Sequence, residues 1–406
     1  MLSNYKKIRS VFYVIAIILL LIRLYNGLLL HQLSGNPVFY TSKDLSFIVF
    51  SSIPFIKTVL QSSFTAWFID ITLFISALGA LFVPKANKFP ILFSITLFFY
   101  IVIYYSSHGV HHSLVGLFFM SIPFVFDNKK KFETALAWVR LSVVWVYFSA
   151  GLWKVIRGAF LHGGYFSTLI KEHYGLQMYL SPDTLANKIR WFVADNVALS
   201  NSFFILLVIA ELLFIIAFFT QRYDKYFAIF ILVFQSLTWF FADTYFFDFA
   251  PALLPFFFYK NTDLTIKIFK ENKVALSLYS LHLLVFIYAL MLIGLGKYNS
   301  AVFSVFPFQN YYMYSDPYTK NEFSFIKIMK RDKCLNCAYQ FPPQREVINA
   351  NIKYYKPNDT VLKKWIEKQI TQKYKSSFTE IEIVYLNLQN QVVKEQINRK
   401  MLITFP

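Results

Sequence analysis

Lys154 ends an apolar run, Val146-Tyr147-Phe148-Ser149-Ala150-Gly151-Leu152-Trp153-Lys154. A cation is expensive beside hydrocarbon, so an ionisable residue at such a place is a functional candidate by default. Loss of hydration disfavours the ammonium and leaves more of the neutral amine, the form that accepts a proton. The competing reading is a lysine that snorkels and only marks the membrane boundary. A second reactive set stands in Ser106-Ser107-His108-Gly109-Val110-His111-His112-Ser113. Imidazoles titrate near neutrality, so they shuttle protons or bind metals. On one helix His108 and His111 would share a face, but Gly109 argues that the helix starts later. No further cluster of Cys, His or carboxylates stands near in sequence, so no metal is expected. Histidines that merely solvate the end of a span are the plainer alternative.

Other polar residues interrupt apolar sequence. After Lys154 the chain reads Arg157-Gly158-Ala159-Phe160-Leu161-His162-Gly163-Gly164-Tyr165, and its glycines permit a tight path at a membrane surface. It continues through Lys171, Glu172, His173 and Tyr174 to Ser181-Pro182. This amphipathic, aromatic-rich stretch suits an interfacial lid, or else an aromatic belt that anchors the protein. Glu211 interrupts Phe203–Phe219 and needs a partner or a proton there. Gln235, Ser236 and Thr238 form a polar stripe that interhelical hydrogen bonding would explain. Asp243 and Asp248 flank a turn. Either could orient a histidine, and solvated carboxylates are the simpler expectation.

The elements that must position these residues are membrane spans. The chain is 57% hydrophobic and 20% aromatic but only 15% charged, with mean hydropathy +0.47. Stretches suited to spans run over about 11–30, 63–83, 89–105, 111–126, 135–153, 198–219, 226–242, 244–259 and 274–296. The third and fourth are short and the seventh and eighth abut, so either pair could form a hairpin or a re-entrant element. Residues 38–60 are apolar in patches, broken by Pro54, and read as interfacial. The net charge of +18 gathers between spans and near the C-terminus, which excludes a nucleic-acid groove. The first apolar run has no small-residue cleavage site and further spans follow, so a cleaved signal peptide is not expected.

Basic residues set the orientation. Lys6, Lys7 and Arg9 precede the first span; Lys85 and Lys88 follow the second; Lys129, Lys130 and Lys131 follow the fourth. Arg222 and Lys225 follow the sixth, and Lys260, Lys267, Lys270 and Lys273 follow the eighth. Every second short loop is thus basic, which places the N-terminus in the cytoplasm and the C-terminus outside. The His108–His112 turn, the 154–196 segment and the Asp243–Asp248 turn then fall on one extracytoplasmic face.

These residues resemble a known family. Tyr147-Phe148-Ser149-Ala150-Gly151-Leu152-Trp153-Lys154, with Phe160 and Gly163, is similar to a motif of the vitamin K-dependent gamma-carboxylase superfamily, also called the horizontally transferred transmembrane domain (HTTM) family. His112-Ser113-Leu114 at a span start is a second match, and His173 followed by Leu180-Ser181-Pro182 a third. The resemblance covers about residues 8–296. It implies that Lys154 is the base toward a reduced quinone of the vitamin K or menaquinone type, and that His112 assists carboxylation. The substrate- and cofactor-binding candidates that accompany them are His108, His111, Tyr147, Trp153, His162, His173, Gln235 and Asp243. Taking a proton from a carbon beside a carboxylate needs a base stronger than any side chain at neutral pH. The resemblance implies a route in which a hydroquinone is deprotonated, adds oxygen, and as the resulting oxidised quinone species supplies that strength, with Lys154 starting the sequence. The chain departs from the carboxylase at two places: Gln235 stands where that enzyme has a histidine, and Trp153-Lys154 where it has a Lys-Lys pair. It has no clear counterpart of the large propeptide-recognising region. Some members resemble the B component of a sporulation-delaying toxin system, which helps to mature a secreted peptide.

Past Lys297 the chain turns polar. Asp359–Tyr374 has helical spacing, Glu380–Leu388 partly alternates like a strand, and Met401–Phe405 could pair with one. Cys334 and Cys337, the chain's two cysteines, form either a disulfide loop or a redox pair outside the cytoplasm. The expected architecture is an all-α polytopic membrane helix bundle of about eight or nine spans, residues 1–297, followed by a small extracytoplasmic α+β domain, residues 298–406. The expected setting is the plasma (inner) membrane, with the lipid bilayer and a secreted peptide or protein as partners and no nucleic acid. The expected function is quinone-linked modification of that partner. The alternative is a non-enzymatic factor for its maturation, export or immunity. A transporter is disfavoured, because mid-span charges are few and no matching broken helices are visible.

Overall fold

The computed structural model describes residues 2–33, 62–83, 87–108, 114–161 and 163–258, single positions between 277 and 291, and four strand segments between 322 and 401. Among these residues five helical stretches are long and apolar enough to cross a membrane: Tyr5–Leu33, Ser63–Phe82, Lys129–Ile156, Val197–Phe219 and Asp224–Ala242. The chain is therefore a membrane helix bundle. In order its helices are α1 (Leu2–Tyr25), α2 (Leu30–Leu33), α3 (Ser63–Phe82), α4 (Lys88–His108), α5 (Val115–Ser121), α6 (Lys129–Ile156) and α7 (Tyr165–Leu180). There follow α8 (Leu185–Asp195), α9 (Val197–Leu213), α10 (Ile216–Phe219), α11 (Asp224–Ala242) and α12 (Leu254–Phe258).

Side chains start several of these helices, as the orphan amides of a first turn require. Ser62 Oγ accepts from the Thr65 amide at the head of α3. Asn128 Oδ1 accepts from Lys130 N at 2.8 Å before α6, and Thr184 Oγ1 from Asn187 N before α8. Two expected spans come out short. The fourth is α5 followed by a 3₁₀ turn at Ile122–Val125, and the eighth is a 3₁₀ stretch at Phe247–Leu253 running into α12. Pro123, Pro251 and Pro255 lie in these segments, and a proline removes a ladder donor and crowds the preceding turn. Residues 38–60, the greater part of 274–296 and the helix expected at 359–374 lie outside the described residues.

The chain divides into two compact units that interleave along the sequence. The first comprises Met1–Leu152, Ala210–Gln235 and Phe246–Met313, the second Trp153–Ile209, Ser236–Tyr245 and Tyr314–Pro406. The boundary expected at residue 297 lies outside the described residues. In the first unit α6 is buried along most of its length, through Val139, Val143, Val146, Tyr147 and Ala150. An aromatic cluster fills one end: Phe12 stacks on Phe124 at 5.1 Å between ring centres, and Tyr5 meets Phe132 edge-on at 4.8 Å. Beside it Arg9 donates to the carbonyls of Ala80 and Val83 at the end of α3, meeting acceptors that the helix itself cannot satisfy.

In the second unit α7 and α8 pack through Ile170, Tyr174, Met178, Trp191, Val193 and Ala194. The connection between them is tied by Asn187, which donates to the carbonyls of Gln177 and Ser181. The stretch expected to be an interfacial lid is thus two regular helices with a common apolar core. The same unit holds a four-stranded antiparallel sheet in the order β2-β1-β3-β4, with β1 Glu322–Lys330, β2 Lys333–Cys334, β3 Glu380–Gln389 and β4 Val392–Met401. Phe325 pairs with Val384 across β1 and β3, and a register shift falls at Ile383/Val384 between β3 and β4. The strand expected at 380–388 is β3. Met401, expected to begin a strand, instead ends β4 opposite Ile381.

Candidate functional site

At one end of the first unit the bundle buries a polar network. His31, in the short helix α2, holds its Nδ1 2.8 Å from Asp70 Oδ2 on α3, and its ring stacks on Trp67 at 3.7 Å. The Asp70 carboxylate also accepts from the backbone amides of Leu30 and His31. Nearby, Tyr100 Oη on α4 donates to the Leu28 carbonyl at 2.7 Å and accepts from Arg23 Nε at 3.0 Å. The Arg23 guanidinium lies 4.2 Å from the centre of the Tyr104 ring, a cation–π placement that suits a desolvated arginine. Facing it is Asp248, which accepts from the Leu114 amide at 2.9 Å. Leu114 has φ +60°, the left-handed conformation that a branched side chain seldom adopts. Two residues further on, in α5, a Cβ on Gly116 would stand 2.5 Å from the Phe249 backbone. Only a glycine allows α5 and the Phe247–Leu253 turn to pack so closely.

A second cluster of the first unit lies around α6. Gln235 Nε2 on α11 donates to Tyr147 Oη at 3.3 Å. The Tyr147 ring stacks on Phe214 at 5.1 Å and meets Phe249 edge-on at 6.1 Å. Glu211 is 1% exposed on α9. A Cβ on Gly151 would meet the Glu211 Cβ at 2.8 Å and the Leu212 amide nitrogen at 3.1 Å. Gly151 thus sets a helix–helix approach of the kind small residues permit within membranes.

Lys154 belongs to the second unit. It stands in the last turn of α6 and is 1% exposed, as is Trp153. The Arg157 guanidinium lies 5.6 Å from the centre of the Trp153 ring. A basic residue in a last turn also complements the helix dipole. Elsewhere in this unit Tyr174 Oη donates to the Trp239 carbonyl at 2.6 Å and lies 3.2 Å from Asp243 Oδ1. Arg190 covers the Tyr174 ring at 3.5 Å, donating to the Phe240 carbonyl and to Asn187 Oδ1.

Asp243 and Asp248 were expected to be solvated; both are 1% exposed, because helices α7 and α5 cover them and supply donors. Gln235 does make the interhelical bond expected of its stripe. His173 is half-buried on α7. His108 ends α4, while His111, His112, His162 and Cys337 lie outside the described residues; Cys334 ends β2. Lys154 falls in one unit and Tyr147 with Gln235 in the other. Sequence reasoning passed over Arg23, His31, Asp70, Tyr100 and Arg140. The first, third and fifth carry the same signal as Lys154, a charge inside an apolar stretch. Comparisons with protein-family models, with curated proteins and with solved structures find no match for this chain.

Proposed function

We propose that the chain is a membrane enzyme that modifies an extracytoplasmic peptide or protein with the help of a lipid-soluble reduced quinone, Lys154 accepting a proton. The observation that carries this reading is the burial of the Lys154 amine, 1% exposed at the end of an apolar helix. A lysine that only marked a boundary would carry its ammonium into water. The donor set suits a quinol: a buried basic nitrogen at the end of an apolar span matches a flat apolar ring that bears acidic hydroxyls. A bound quinol would supply the oxidisable hydroxyls and, with molecular oxygen as the oxidant that adds to it, the strength of base that side chains lack. Lys154 takes the proton at Nζ, and its burial keeps water from the amine. The alternating basic loops support an N-terminus in the cytoplasm of the plasma membrane and a C-terminus outside.

One observation favours a second reading, a non-enzymatic factor for maturation, export or immunity of a secreted peptide. Gly151 and Arg140, on the same helix, have evident packing and pairing roles, and a scaffold needs no more than such roles. Mass spectrometry of secreted peptides co-expressed with the chain separates the two. Under the enzymatic reading a mass gain appears with the wild type and vanishes with Lys154→Ala, and also with Lys154→Arg, which stays protonated. A mass gain that survives in a well-expressed Lys154→Ala variant would sink the base role and leave the scaffold.

A further inference from the structure

Two ion pairs of the first unit differ in a way that points to a ligand. Arg140 and Asp224 form a closed fork: Nε meets Oδ2 at 2.7 Å and Nη2 meets Oδ1 at 2.6 Å. Those are the distances of a charge-assisted bidentate pair. Arg23 and Asp248 are just as buried, their side chains 4% and 2% exposed, yet they touch only through Nη1 and Oδ2, at 3.9 Å. The remaining arm of each, Arg23 Nη2 and Asp248 Oδ1, is buried with no hydrogen-bond partner among the described residues. Buried polar atoms of a native fold are almost always paired, and charged ones most of all.

The fork is held open by its surroundings. Arg23 is tethered at Nε by Tyr100 and spread over the Tyr104 ring. Asp248 is tethered at Oδ2 by the Leu114 amide, while Gly116 clamps the backbone next to it. Closing the pair would break one of these attachments. We propose that Arg23 and Asp248 form a binding site for one hydroxyl group, which accepts from Arg23 Nη2 and donates to Asp248 Oδ1. Charge selects this chemistry. An anion would meet the Asp248 carboxylate and a cation the Arg23 guanidinium, whereas a neutral group with both a lone pair and a hydrogen satisfies both arms. The hydroxyl comes from a buried water or from a lipid-soluble alcohol or phenol whose body rests on the Tyr104 ring. The site is independent of Lys154, and its failure would leave the reading of that residue untouched.

The test is a crystal structure of the full chain grown from a lipidic mesophase, with and without 2-naphthol. It is paired with thermal unfolding in nanodiscs against 2-naphthol and against 2-methoxynaphthalene, which lacks the hydroxyl hydrogen. A single-oxygen peak in reach of both arms, with equal Tm for both compounds, supports the site with water as its occupant. Two-ring density, with a Tm rise given by 2-naphthol alone, supports the alcohol. In either case Asp248→Asn keeps an acceptor for Leu114 but turns an amide donor to the fork, and the bound group is lost. Should that variant not fold, Arg23→Lys keeps the charge and removes the second donor arm, with the same loss expected. Arms that meet directly with nothing between them, as in Arg140–Asp224, would overturn the proposal.

Discussion

Arg140 shows what a buried charge costs this bundle and how the cost is met. Its guanidinium reaches both oxygens of Asp224 and the carbonyls of Ala217 and Thr220. Removing one partner strands the other, so Asp224→Ala should destabilise the fold by about 3–5 kcal/mol. Joint replacement of Arg140 and Asp224 by apolar residues of similar volume should cost far less, and a double-mutant cycle on thermal unfolding checks both. Tyr147 tells a milder story. Tyr147→Phe removes only the oxygen to which Gln235 Nε2 donates, and a loss of about 1 kcal/mol is expected. A loss several times larger would mean that the hydroxyl has a role beyond that bond.

Between elements the glycines decide the outcome. Gly151→Ala forces a methyl against Glu211 and Leu212, and overpacking of this kind costs about 1–3 kcal/mol. Gly116→Ala should cost more, because its methyl meets the Phe249 backbone at 2.5 Å and backbone cannot rotate away. Ranking the two variants by melting temperature in detergent tests that order. The motif around Lys154 reads differently in this light. Its Ala-Gly pair is legible as chemistry in the sequence, but in the fold Gly151 is a spacer between α6 and α9. A proline had a similar hidden effect: hydropathy counts Pro251 as part of an apolar run, whereas the backbone around it is a 3₁₀ stretch that also holds the buried Asp248. Periodicity could not show this, since it records side-chain polarity and not missing donors.

For the whole molecule the outstanding quantity is its side of the membrane. Reporter fusions after residues 190, 243 and 350 should give extracytoplasmic signals and a fusion at 130 a cytoplasmic one, as the basic loops require. The opposite pattern would place Lys154 on the inner face and rule out the proposed action on a secreted peptide. The membrane class was legible from the sequence alone because hydropathy is a local property: each apolar stretch states its preference for lipid whatever its neighbours are. Which buried polar residues meet was not legible. Arg23 finds Tyr100 and Asp248, His31 finds Asp70, and Arg140 finds Asp224 only once helices distant in the chain are packed together. A charge in an apolar run announces that it needs a partner, because lipid offers none, but only the packing of the helices selects which partner it receives.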